Sequence, residues 1–196
     1  MGRKKREWLP GYYYHIVCRG NQRDDLFKTE IDYRTFFYLL KEVKQKTPFD
    51  LAAYCLMSNH FHLQMRSDSQ TISKVMSLIN KRYADYYNTK NNLTGHVFEK
   101  RYFDRLINTD LAMLRVSRYI HLNPLKAGLV ETPESYRWSS YRLYLHTSGH
   151  SMLNVNAVLD CMDGNALEKR QKYQEFVNEE KEIKEMPMDG GEIVFF

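Results

Sequence analysis

The segments DLAAYCLM (50–57) and HFHLQMR (60–66) are separated only by Ser58 and Asn59. Two apolar, strand-length runs joined by a two-residue break fold back on each other as a tight antiparallel hairpin, which fixes one strand pairing at the outset. The second run carries His60 and His62. Side chains at i and i+2 of a strand share a face, so both imidazoles project the same way. Either that face is the wet side of a sheet, or the pair holds something.

The flanking segments narrow the choice of fold. Residues 12–18, YYYHIVC, are aromatic and β-branched and end at Arg19, Gly20 and Asn21, as a strand does. From Thr29 to Lys46 the residues Ile31, Phe36, Phe37, Leu39, Leu40 and Val43 recur at helical spacing, and Pro48 follows. Thr71 to Asn88 repeats the pattern with Ile72, Val75, Met76, Ile79, Tyr83 and Tyr86. RYFDRLI (101–107) alternates as a strand. Asn108, Thr109 and Asp110 offer N-cap chemistry for a helix over 110–122, which Pro124 is expected to terminate. The order β-α-β-β-α-β plus a further helix predicts an α+β fold, a ferredoxin-like split β-α-β antiparallel sheet with helices packed on it. The expected organisation is a basic arm (1–10), a main domain (11–145) onto which ETPESYRWSSYRLY packs back, and a helical, partly disordered extension (146–196).

The formal net charge of +5 hides an asymmetry. From Asp160 onward ten acidic side chains outnumber five basic ones, which leaves 24 basic against 14 acidic in residues 1–159. A body that basic suits a polyphosphate partner, and it also serves solubility. Cys18, Cys55 and Cys161 are odd in number and widely spaced with no CxxC pair. They fit neither a disulfide framework nor a zinc knuckle and point to a reducing compartment. No apolar stretch follows the basic start MGRKKREWLPG, so no secretory signal is read there, and no run approaches the length of a membrane span. A cytoplasmic, nucleoid-associated protein with no membrane partner is expected.

If a helix covers the histidine face, two neutral imidazoles are buried side by side and need partners, because unsatisfied buried polar groups are costly. A metal ion supplies one partner for both, given a third ligand and an open position. Tyr119 and Asn123 lie four residues apart and project from one face of the last turn of the 110–122 helix. An asparagine carbonyl oxygen suits a hard metal, and a tyrosine hydroxyl there can reach a group bound to it. Taken singly, HxH is a polar strand face, a helical tyrosine packs, and Asn-Pro is a helix stop. Tyr83 is the rival for a nucleophilic role.

HFH resembles the His-hydrophobic-His motif of the HUH nucleases. YHIVCRGNQRDDLF, CLMSNHFHLQM, GHVFEKRYFDRLI and YIHLNPLKAGLV, in that order and with WSSY at 138–141, resemble the single-tyrosine transposases, most of all the REP-associated branch. The similarity spans about residues 10–145. It implies that His60, His62 and Asn123 bind a divalent metal, Mg2+ or Mn2+, and that Tyr119 is the nucleophile. Many related transposases have glutamine where this chain has Asn123. The resemblance further implies attack on single-stranded DNA near the hairpins of palindromic repetitive extragenic elements, giving a 5′-phosphotyrosine link whose energy allows rejoining. Related transposases are dimers, so a homodimer is a candidate assembly.

The ordinary tyrosine pKa of about 10 calls for positive or metal-borne charge to help ionise the nucleophile. Arg115 and Arg118 on the same helix are candidates, either for that role or as phosphate contacts. Further DNA contacts are read at Arg3, Lys4, Lys5 and Arg6 in the arm, and at Arg19, Asn21 and Arg23 after the first strand. Lys81 and Arg82 join them within NKRYADYYN, where bases and tyrosines interleave as in a stacking surface. His15 is expected to pack within its strand or to approach the metal face. Two alternatives remain: a domesticated, non-catalytic single-stranded DNA- or RNA-binding protein, and a metal phosphodiesterase that uses water.

Overall fold

The hairpin read from the sequence is the centre of the molecule in the computed structural model, which describes residues 8–146 and 152–179. Strand β1 (Tyr13–Arg19) lies against the hairpin, whose own strands are β2 (Asp50–Leu56) and β3 (His60–Arg66). β3 pairs antiparallel with β2 on one side and with β1 on the other, which sets Val17 opposite His62 and Arg19 opposite His60. Strand β4 (Phe103–Ile107) adds antiparallel to β1, giving the order β2-β3-β1-β4. This is the expected split β-α-β sheet, with β3 inserted between the two strands that the first helix connects.

The pleat separates two layers. Phe61, Leu63 and Met65 are fully buried under α1 (Glu30–Lys46) and α2 (Ile72–Asn91), with Phe36 of α1 4.7 Å from the Phe61 ring. Thr29 and Asp32 form a capping box at the start of α1. The buried Asp32 also accepts from Tyr86 and from Lys90 of α2, so one carboxylate ties the two helices together. Ile31, placed by its spacing on the inner face, is 63% exposed, because the buried Asp32 occupies the inward position of that first turn.

The opposite face, carrying His60, His62 and Gln64, is covered by α3 (Asp110–Lys126). The Gln64 amide donates to the Met113 carbonyl at 3.2 Å and pins the helix to β3. Pro124 does not terminate α3, which continues to Lys126. Proline forfeits its own bond to the carbonyl four residues back, but here only the last turn remains. That turn is closed by Ala127 N donating to Asn123 O and Leu129 N to Pro124 O, with Gly128 at φ +67°. Tyr119 and Asn123 therefore share a helical face.

The outer edge of β2 is closed by the aromatic segment, which packs back as expected. Leu56 N donates to Trp138 O and Ser140 N to Tyr54 O, each at 2.9 Å, while Trp138 stacks flat on Tyr33 at 4.3 Å. Three short helices complete this side: α4 (Tyr141–Leu145), α5 (Asn156–Leu159) and α6 (Ala166–Asn178). Tyr173 of α6 is fully buried, donates to Ser117 Oγ at 2.9 Å and lies 2.7 Å from His121 Nδ1. His121 Nε2 is 2.7 Å from Ser140 Oγ. The described part of the extension thus completes the core above α3. Among the described residues, no helix is long and apolar enough to cross a membrane.

Candidate active site

His60 and His62 sit on an inner strand beneath α3, 8% and 0% exposed, with ring centroids 5.0 Å apart. Each ring is oriented through Nδ1. The Asn59 side-chain nitrogen donates to the Arg23 carbonyl, which turns its Oδ1 to His60 Nδ1 at 2.7 Å. A carbonyl oxygen only accepts, so His60 carries its proton on Nδ1 and has a lone pair on Nε2. His62 Nδ1 lies 3.0 Å from His15 Nε2, and the two rings stack at 5.3 Å and 15°. The other ring nitrogens, His60 Nε2 and His62 Nε2, are buried without a formed hydrogen bond.

Electrostatics keep the cluster neutral. Burial pushes His15 down to about 3 and His60 down to about 4, and it holds His62 well below the ordinary histidine value. Arg105 adds to the effect on His15, while Arg19 adds to it on His60 and His62. The Asn123 side chain, close to His60, acts in the opposite direction. Neutral imidazoles whose far ring nitrogen is held by a hydrogen bond are the form that ligates metal. Among the described residues no group of three or more His, Cys, Asp or Glu is placed to hold a metal ion. Any such ion would rely on two imidazoles and an amide oxygen, and the unpartnered Nε2 atoms of His60 and His62, with the Asn123 side chain close to His60, fit that donor set.

Tyr119 stands edge-on to His62 at 5.6 Å and to His15 at 5.9 Å, and it is 8% exposed. The expected arginine helpers divide. Arg115 is half-buried on α3, whereas Arg118 is turned into the C-terminal end of α6. Its guanidinium donates to the Val177 and Glu179 carbonyls and covers the Phe176 ring. A cation that the structure does set near the tyrosine is Lys126, whose Nζ lies 6.0 Å from the Tyr119 ring centroid. Two turns separate these residues on one helix, a spacing that was visible in the sequence but hidden by ending the helix at Pro124. Tyr83, the rival nucleophile, is fully buried in the opposite layer and donates to Leu26 O at 2.5 Å.

The other expected DNA contacts fall in three places. Arg19 is at the histidine face and pairs with Glu99 at 4.0 Å. Arg23 is exposed in a turn with positive φ at Gln22 and Arg23. That turn requires glycine at 20, where a Cβ would lie 2.1 Å from the Asp24 carbonyl oxygen. Asn21 and Lys81 line a separate cleft, and Arg82 is half-buried on α2. Arg3, Lys4, Lys5 and Arg6 lie outside the described residues. Of the two expectations for His15, the structure places it on the histidine face against His62, as the shared face of Tyr13, His15, Val17 and Arg19 allows.

Comparison with known proteins bears on the family and the fold. The family model described as "Transposase IS200 like" matches residues 9–123. A Haemophilus influenzae protein named for REP-associated tyrosine transposases is 23% identical over 154 residues, 72% of this chain and 86% of that protein. The REP-associated tyrosine transposase of Escherichia coli K12 is 22% identical over 144 residues, 72% of this chain and 83% of the relative. The solved structure of a REP-associated tyrosine transposase bound to a REP hairpin has a TM-score of 0.64 at 17% identity, covering 79% of this chain and 98% of that one. That last likeness is one of fold. The chain belongs to the IS200-like transposase family.

Proposed function

We propose that this protein cuts and rejoins single-stranded DNA beside a hairpin, with Tyr119 as the nucleophile. The observation that carries the reading is Tyr119 held edge-on to His62 and His15, next to two buried imidazole nitrogens that make no hydrogen bond. His60 Nε2, His62 Nε2 and the Asn123 amide oxygen would hold a divalent ion, Mg2+ or Mn2+. Such an ion supplies Lewis-acid polarisation of the scissile phosphate and offsets charge as it develops there.

The chain's own residues do the rest. Asn59 and His15 orient the two imidazoles through Nδ1, so that little reorganisation is needed at the moment of reaction. The Lys126 ammonium favours loss of the Tyr119 proton. The tyrosine oxygen then bonds to phosphorus while the bond from phosphorus to the 3′ oxygen breaks. The departing oxygen takes up a proton, leaving a 5′-phosphotyrosine and a free 3′ hydroxyl. One phosphodiester replaces another, so the reverse attack rejoins strands without an external energy source. The solved relative was bound to a REP hairpin, which supports the same class of substrate here.

The test uses a labelled single-stranded oligonucleotide carrying a hairpin and its flanks, incubated with Mg2+ or Mn2+ and run on denaturing gels. A protein-linked band in wild type that Tyr119→Phe abolishes is the expected result. Cleavage without a link in both proteins would assign the chemistry to water. Binding without cleavage in either, across several hairpins, would leave the domesticated binder as the better account.

A further inference from the structure

The 95–102 segment, between α2 and β4, makes no strand or helix, yet it is held in place from both sides. Towards β1, Asn21 N donates to Val97 O at 2.9 Å and Glu99 N to Arg19 O at 3.1 Å. Towards α2, three side chains bridge the gap at intervals. The Asn88 amide donates to Gly95 O at 3.1 Å, the Asn80 amide donates to Arg101 O at 3.0 Å, and Ser73 Oγ lies 2.7 Å from the Tyr102 hydroxyl. These struts frame a cleft of about 700 Å³, within the size range of small-ligand sites.

Its walls have a definite chemistry. Lys81, His96, Lys100 and Arg101 line it and are exposed. Among the described residues the one acidic side chain in the lining, Glu99, already pairs with Lys100 at 3.5 Å and with Arg19 at 4.0 Å. Phe98 and Tyr102 supply aromatic surface beside the cations Lys81, Lys100 and Arg101, and Asn21 supplies an amide. Fixed positive charge interleaved with rings and amides is how proteins hold unpaired nucleotides, phosphates on the cations and bases on the rings. The position adds a second argument. Arg19 sits opposite His60 on the histidine face, while its own carbonyl and guanidinium contact Glu99 on the rim of the cleft. Arg19 therefore places the rim of the cleft at the same end of β1 that faces His60.

We infer that the cleft between α2 and the 95–102 segment binds an unpaired stretch of the same DNA strand that is cut, as a second site distinct from the histidine centre. The inference rests on the DNA-processing reading above, but its test does not need cleavage. Fluorescence anisotropy in the Tyr119→Phe background would compare a hairpin bearing single-stranded tails with the same hairpin blunt. Ser77→Trp, at an exposed α2 position lining the cleft, fills it, and the double substitution Lys81→Ala with Lys100→Ala removes charge without bulk.

Both variants are expected to bind the tailed hairpin about tenfold more weakly while the blunt hairpin stays within about twofold. An undiminished tail contribution in both variants would overturn the inference. Equal loss for tailed and blunt hairpins would also overturn it, because the effect would then be general. Tail-dependent binding by a wild-type chain that never forms the covalent adduct would keep the cleft and reject the chemistry. Adduct formation with no effect of either variant on the tail would do the reverse.

Discussion

The contact that most repays a direct test is the one between His15 and His62. The two rings are buried and stacked, with His15 Nε2 3.0 Å from His62 Nδ1. A neutral imidazole has one N–H and one lone pair. When His15 accepts from His62 Nδ1, the His62 lone pair is on Nε2, the side facing the candidate metal position. His15→Phe keeps a flat ring in the stack and removes the acceptor, together with a buried Nδ1 that makes no hydrogen bond. The buried His62 N–H then loses its partner, worth about 1–3 kcal/mol, and the ring loses what fixes its tautomer. Loss of a partner that orients a ligating imidazole typically weakens metal binding about 10- to 100-fold, or about 1.4–2.7 kcal/mol. Mn2+ titration at neutral pH, with free ion followed by paramagnetic resonance, would compare wild type, His15→Phe and His60→Ala. The expected order is tight, intermediate and absent. Mn2+ affinity for a folded His15→Phe within about twofold of wild type would refute the reasoning.

Three further outcomes follow from the same geometry. Tyr83→Phe should keep the covalent adduct while lowering stability by about 1–3 kcal/mol, since the Leu26 carbonyl loses its buried donor; an adduct lost in a stably folded Tyr83→Phe would restore the rival nucleophile. Tyr173→Phe removes one hydroxyl from both Ser117 and His121, and should lower the urea midpoint by a similar free energy; an unchanged midpoint would mean that α6 contributes nothing to the core above α3. Burial lowers the folded-state value of His121 to about 3, so between there and the ordinary value near 6.5 the unfolded chain binds the extra proton. Stability should therefore fall as pH drops below about 6.5, and a urea midpoint that stays flat down to pH 5 would contradict it.

What the sequence determined follows from local rules. The two-residue break at Ser58-Asn59 and the period-2 pattern around it dictate the hairpin, and therefore that His60 and His62 share a face. Helical spacing places Tyr119 and Asn123 on one side of a helix, and element order alone selects the split sheet. Tertiary structure decided what lies opposite those faces, because pairings between distant segments leave no periodic trace. It carried α3 past Pro124, which brings Lys126 rather than Arg118 to the tyrosine, and turned Arg118 to the carbonyls ending α6. Register across β1 and β3 set His15 against His62, a contact between residues 47 positions apart. It also drew Asn21 and Lys81 into one cleft whose remaining cations come from a segment with no secondary structure of its own. Local periodicity encodes which way a side chain points, but which group it meets depends on the long-range packing of both sheet faces.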